Sequence, residues 1–146
     1  MTHQGGRAPG RVLGLDVGRK RVGVAVSDET RTLASPVGVW PPKSGEVTRR
    51  IMAYAEPLTA IVVGLPLNVD GSDSAQTMYV RGFVCRLQAK LALPVLLADE
   101  RYSTLTAEAA MLAGGVSREE RRAKSDQQAA VVLLQGWLDE ERDDAC

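Results

Sequence analysis

The stretch RVLGLDVGRKRVGVAVS, residues 11–27, decides the fold. Arg11 to Val17 and Val22 to Ser27 are short apolar runs rich in valine, and Gly18-Arg19-Lys20-Arg21 between them has the length and composition of a hairpin connection. Two antiparallel strands are therefore expected. Alternation puts Val12, Gly14 and Asp16 on one face of the first strand and Leu13, Leu15 and Val17 on the other. A carboxylate in an apolar strand is costly unless it is paired or bound to metal. Gly14 and Gly18 leave space beside Asp16 for a ligand or a backbone. The plain alternatives are an edge aspartate facing water, or one paired with Lys20 or Arg21.

A third strand is expected within Thr32 to Trp40, before the Pro41-Pro42 break, which completes an antiparallel meander. Val47, Ile51, Met52 and Ala55 recur at helical spacing and predict a helix from about Glu46 to Glu56. Ala60 to Gly64 and Pro94 to Ala98 are compact apolar runs, as expected of strands covered on both faces. Between them, Val80, Phe83, Val84, Leu87 and Leu91 predict a helix over Ser74 to Leu91. A short helix over Leu105 to Ala113, ended by Gly114-Gly115, leads to an Arg-rich loop and a last helix from Ser125 to about Glu140. Strands that alternate with helices pair in parallel through crossovers. The expected class is α/β: a mixed sheet of three meander strands and two parallel strands, with helices on both faces. Residues 1–10 read as a flexible extension and 11–142 as a single domain.

The whole chain fits that size. It has 146 residues, 45% hydrophobic and 25% charged, an ordinary globular composition. Lys plus Arg and Asp plus Glu are each 18, so net charge is zero, which argues against indiscriminate coating of nucleic acid but not against local basic patches. Cys85 and Cys146 form no CxxC pair and His3 is the single histidine, so a thiolate or imidazole zinc site and a buried histidine base are disfavoured. No apolar run is long enough to span a membrane and no signal-peptide core opens the chain, so a cytoplasmic protein is expected.

Two further carboxylates join Asp16 as candidates. Glu100 follows the strand Pro94 to Ala98, and strand C-termini are where α/β sheets bind ligands. A charged residue opening a loop needs no such role, and taken alone this position favours that plainer account. Asp126 precedes Ala129 and Ala130 by three and four residues, so it belongs to the inward stripe that continues through Leu133, Leu134 and Trp137. Ser125 as N-cap, with Gln128 closing a capping box, would also explain an acid there. Hard oxygen donors of this kind select Mg²⁺ or Mn²⁺. They suit two-metal phosphodiester hydrolysis, in which ions about 3.5–4 Å apart act together.

These residues carry a resemblance. Gly14-Leu15-Asp16-Val17-Gly18 with Lys20 to Ala25, Val63-Gly64-Leu65-Pro66-Leu67-Asn68 with Asp70-Gly71, Asp99-Glu100-Arg101-Tyr102-Ser103-Thr104, and Lys124 with Asp126, Ala129 and Ala130 stand in the order found in YqgF/RuvX proteins. The chain closely resembles that family from Val12 to Glu140. The resemblance implies a ribonuclease H-like fold with a five-stranded mixed sheet. It implies a metal-dependent nuclease with Asp16, Glu100 and Asp126 as metal ligands, acting on pre-16S ribosomal RNA or on Holliday junctions. RNA processing is the preferred expectation. Trp137 and the N-terminal extension depart from the family pattern, and neither touches the expected centre.

Around that centre, Lys124 is the candidate for stabilising developing phosphate charge. Arg19, Lys20, Arg21, Asn68, Arg101, Arg121 and Arg122 are candidate nucleic-acid contacts. Arg101 and Ser103 are also candidates for holding Glu100 in place. The plainer readings are a solubilising hairpin tip, a turn at Asp70-Gly71 and a solvated loop in which Glu119 and Glu120 dilute the arginines. Aromatic residues are 4% of the chain, which argues against a base-stacking platform, and core roles are the safer expectation for Trp40 and Tyr102. Two other classes are weighed. A phosphotransferase of the actin-like kind needs two such domains, and a silent nucleic-acid-binding module need not keep three acids. A resolvase is expected to be a homodimer, whereas an RNA processor can act as a monomer.

Overall fold

The computed structural model describes residues 10–99 and 118–145, with the side chains of the last helix described from Asp126 to Glu141. In chain order the elements are β1 (Arg11–Val17), β2 (Val22–Ser27), β3 (Ala34–Trp40), α1 (Ser44–Met52), β4 (Leu58–Leu65), α2 (Ala75–Lys90), β5 (Val95–Asp99) and α3 (Arg118–Ala145). The five strands form one sheet in the order β3-β2-β1-β4-β5. β1 pairs antiparallel with β2 and β2 with β3, while β4 lies parallel to both β1 and β5. This is the expected mixed sheet.

Local chemistry sets the turns. Gly18 donates its N–H to the Arg21 carbonyl at 3.0 Å, closing the β1–β2 connection. After β2, the Asp28 carboxylate accepts from the backbone N–H groups of Thr32 at 2.7 Å and Leu33 at 3.3 Å. Those two bonds hold the Asp28 carboxyl below the ordinary carboxylate range, the Thr32 bond being the larger cause. Arg31 within this turn has φ 57 and is tied down by bonds from its guanidinium to the Gly10 carbonyl and the Thr59 hydroxyl.

Two apolar layers flank the sheet. Leu13, Leu15, Val17, Val22, Val24, Ile61 and Val63 pack with Val47 and Ile51 of α1 and with Val80, Phe83, Val84 and Leu87 of α2. Trp40 is in the same cluster, the core role expected for it. On the opposite face Val12, Ala25, Ala60 and Val62 pack with Ala130, Leu134 and Leu138 of α3. Small residues dominate that second face, so α3 lies close to the strands. Gln135 fastens it to the sheet edge, accepting from the Ala34 N–H at 2.9 Å and donating to the Thr32 carbonyl at 2.9 Å.

Four expectations need correction. α1 stops at Met52 rather than Glu56, with Ala53 as its C-cap. Among the described residues β5 is an edge strand paired with β4 alone, and Leu96 and Leu97 are 39% and 42% exposed rather than covered on both faces. α3 begins at Arg118, not Ser125. The supposed Arg-rich loop at residues 118–124 is thus helical, as its run of strong helix formers allows. Ser125 is consequently no N-cap, and Asp126 lies well inside the helix rather than at its start. The capping box present instead is Ser74 with Thr77 at the start of α2. The expected helix over Leu105 to Ala113 lies outside the described residues.

Candidate active site

Asp16 stands near the C-terminal end of β1, beside the Gly18–Arg21 hairpin. Leu13, Leu15 and Val17 belong to the α1/α2 layer and Val12 to the α3 layer, so alternation turns Asp16 toward α3. Gly14 confirms the direction, since a Cβ added there would lie 2.9 Å from the Leu134 Cβ. Asp16 itself is half-buried. Its cross-strand partner is Gly23. Across the other edge of β1, Leu15 pairs with Val63, which brings Gly64 beside Asp16, and Gly64 pairs in turn with Ala98. The aspartate is surrounded within the sheet by residues with little or no side chain.

Gly23 is the seat for the second acid. A Cβ built on it would fall 1.9 Å from the Asp126 carbonyl oxygen and 2.5 Å from its carbonyl carbon. The α3 backbone therefore rests directly on β2 at Asp126, over the residue that pairs with Asp16. A glycine thus lets the backbone at Asp126 settle on the strand pair that carries Asp16, 110 positions earlier in sequence. Asp126 is half-buried, and its Oδ2 lies 3.3 Å from the Arg21 Nε. Arg21 pairs with the second acid, and its positive charge offsets that carboxylate's negative charge.

The remaining candidates divide by location. Lys20 is exposed at the hairpin tip. Arg19 turns to the other helical layer, its Nε donating to the Gln76 Oε1 at 3.1 Å and its guanidinium lying 4.6 Å from the Tyr79 ring centroid. Asn68 belongs to a tight turn: its carbonyl accepts from the Gly71 N–H at 2.8 Å, its Nδ2 donates to the Ser72 Oγ at 3.0 Å, and Gly71 has φ 90. Asp70-Gly71 is a turn, the plainer of the two readings. Arg121, Arg122 and Lys124 lie on the α3 backbone, with side chains outside the described set. Glu100, Arg101, Tyr102 and Ser103 also lie outside it, Glu100 being next in sequence after the last residue of β5. Among the described residues no group of three acids, cysteines or histidines is gathered to hold a metal. The Asp126 backbone lies over the residue that pairs with Asp16, and carboxylates are the hard oxygen donors that a magnesium-class ion takes.

Sequence reasoning passed over three contributors. Gly23 was quoted within a motif but given no task, although a glycine across the ladder from a buried-face acid is a visible signal of close backbone approach. Gln76 and Tyr79 gave no signal, because their roles depend on where the hairpin meets α2.

A family model described as RuvX: Holliday junction resolvase matches residues 10–140, nearly the whole chain. The chain belongs to the RuvX family. A RuvX relative from Roseiflexus sp. (strain RS-1), named "Putative pre-16S rRNA nuclease", is 42% identical over 92% of this chain and 97% of its own length. Another of that name, from Anaeromyxobacter sp. (strain K), is 45% identical over 88% of this chain and 96% of its own. Among solved structures, T. thermophilus RuvC in complex with a Holliday junction substrate superposes with a TM-score of 0.53 at 15% identity. That match covers 88% of this chain and 92% of RuvC, which shows that the RuvX chain shares the RuvC-like, ribonuclease H-like fold.

Proposed function

We propose that this RuvX chain is a divalent-metal-dependent nuclease that hydrolyses phosphodiester bonds in the precursor of 16S ribosomal RNA, in the cytoplasm. The class, a hydrolase acting on ester bonds, follows from the family and from relatives named as pre-16S rRNA nucleases. The observation that carries the chemistry is the seating of Asp126 on Gly23, beside Asp16. In this reading Asp16, Glu100 and Asp126 hold Mg²⁺ or Mn²⁺, two ions in the complete site. Bound there, the metal supplies an activated water and charge compensation for the leaving oxygen.

The chain's own groups have separable tasks. Arg21 orients Asp126 through their ion pair. Lys124, two residues before Asp126, provides positive charge for the phosphate as negative charge develops on it. Lys20, with Arg121 and Arg122, contacts the nucleic-acid backbone. Arg101 and Asn68 border the same groove in this reading.

The test is cleavage of a pre-16S RNA fragment and of a four-way DNA junction by the purified protein, with Mg²⁺ and with Mn²⁺. The RNA fragment should be cut only when metal is present, and Asp16→Asn should reduce the rate by at least about 1,000-fold with folding intact, as expected for loss of a group on which the reaction depends. Wild-type cleavage rates in Asp16→Asn would overturn the assigned centre. The second reading, a junction resolvase, is favoured by the family's description and by the RuvC neighbour's bound substrate. Preferential cutting of the junction, together with a dimeric solution mass, would establish it instead.

A further inference from the structure

The β1–β2 hairpin is a bracket between the two helical layers. Arg21 reaches Asp126 on α3, and Arg19, two residues earlier, reaches Gln76 and Tyr79 on α2. Gln76 makes the second grip rigid. Its Oε1 accepts from the Arg19 Nε at 3.1 Å while its Nε2 donates to the carbonyl of Val17 at 3.3 Å, the residue next to Asp16. The position of Arg19 is thereby referenced to the strand end that bears the first acid.

An exposed arginine ordinarily samples many rotamers, and ordering it on a ligand costs conformational entropy. Here a ring contact and a hydrogen bond order the side chain beforehand. Among the described residues no carboxylate pairs with Arg19, and its two terminal nitrogens carry no bond, although the residue is exposed. What remains is a guanidinium fork directed to solvent, the geometry that takes a phosphate through two parallel N–H bonds.

We propose that Arg19, with Gln76 and Tyr79 as positioning residues, forms a phosphate subsite on the α2 side of the hairpin. It binds a phosphodiester of the substrate strand beyond the one at Asp16 and Asp126. The strand then crosses the end of the sheet from the α3 layer, over Lys20, to the start of α2. This inference rests on the nuclease reading for the identity of the ligand, but not for its geometry.

The experiment measures binding without cleavage. Wild-type protein in EDTA is titrated with a single-stranded oligoribonucleotide spanning the pre-16S cleavage site, at several salt concentrations. Arg19→Ala should weaken binding about 5- to 10-fold and lower the slope of log K against log salt by about 0.7, one released phosphate contact on a single strand. Arg19→Lys should keep the slope and lose part of the affinity, because the charge survives but the fork does not. Tyr79→Leu and Gln76→Ala should each weaken binding when Arg19 is present and add little when it is absent. An unchanged slope in Arg19→Ala, or equal losses from Tyr79→Leu in both backgrounds, would overturn the subsite. The binding data remain informative if the cleavage assay fails, so the two readings fall separately.

Discussion

A methyl group at position 23 would have to occupy the place of the Asp126 carbonyl, a backbone atom with no rotamer in which to yield. Gly23→Ala must therefore lift α3 from β2, and the displacement falls on the acid. Overpacking of this kind costs about 1–3 kcal/mol, and a shift near 1 Å in a reacting constellation costs about 100-fold in rate. Gly23→Ala is expected to show both, read by urea unfolding and by single-turnover cleavage. A variant as active as wild type would show that the seat does not position Asp126. At this scale the sequence was partly legible. Asp16 declared itself because alternation placed a charge on an otherwise apolar face. Gly23 did not, since its meaning depends on the helix that packs above it. Arg21 was read as a partner for Asp16 or for phosphate, and its pairing with Asp126 required knowing where α3 crosses.

The strands were readable from sequence because β-branched residues and turn glycines act over a few neighbours, and β1 and β2 match their expected bounds. α3 was misread at its start for the opposite reason. Residues 118–125, Arg-Glu-Glu-Arg-Arg-Ala-Lys-Ser, contain one apolar residue, so periodicity had nothing to act on while helix propensity was high. The connection from β2 to β3 yields a prediction of its own. The Asp28 carboxyl is held below its ordinary value of 3.8 by the Thr32 N–H above all. Its stabilising contribution is therefore complete above that pH and is lost as pH falls through the lower folded value. Asp28→Asn should flatten the acid limb of the stability curve below about pH 4, the model-compound range for aspartate, while leaving neutral activity intact. Identical acid limbs in the two proteins would remove Asp28 from the account.

For the molecule as a whole, fold and family were legible because four blocks stand in a fixed order along the chain, whereas the choice between RNA and branched DNA was not, since both are read through backbone and shape. Within the described residues no helix is long and apolar enough to cross a membrane. The proposed metal role has a global readout. An ion that binds the folded chain and not the unfolded one stabilises it by about 2.7 kcal/mol at 100 times its Kd. Mn²⁺ should accordingly raise the wild-type Tm, and Asp16→Asn should abolish the rise. An undiminished rise in that variant would place the ion elsewhere.

Because one acid belongs to the first strand and another to the last helix, no nascent chain emerging from the ribosome can carry both until translation has passed Asp126. A chain halted at β5 leaves Val12, Ala25, Ala60 and Val62 bare and the first carboxylate without its counterpart. Under the proposed function, competence to cut then coincides with the arrival of that helix on the sheet. A premature stop upstream of that helix should yield an inert, sticky fragment rather than a stray nuclease.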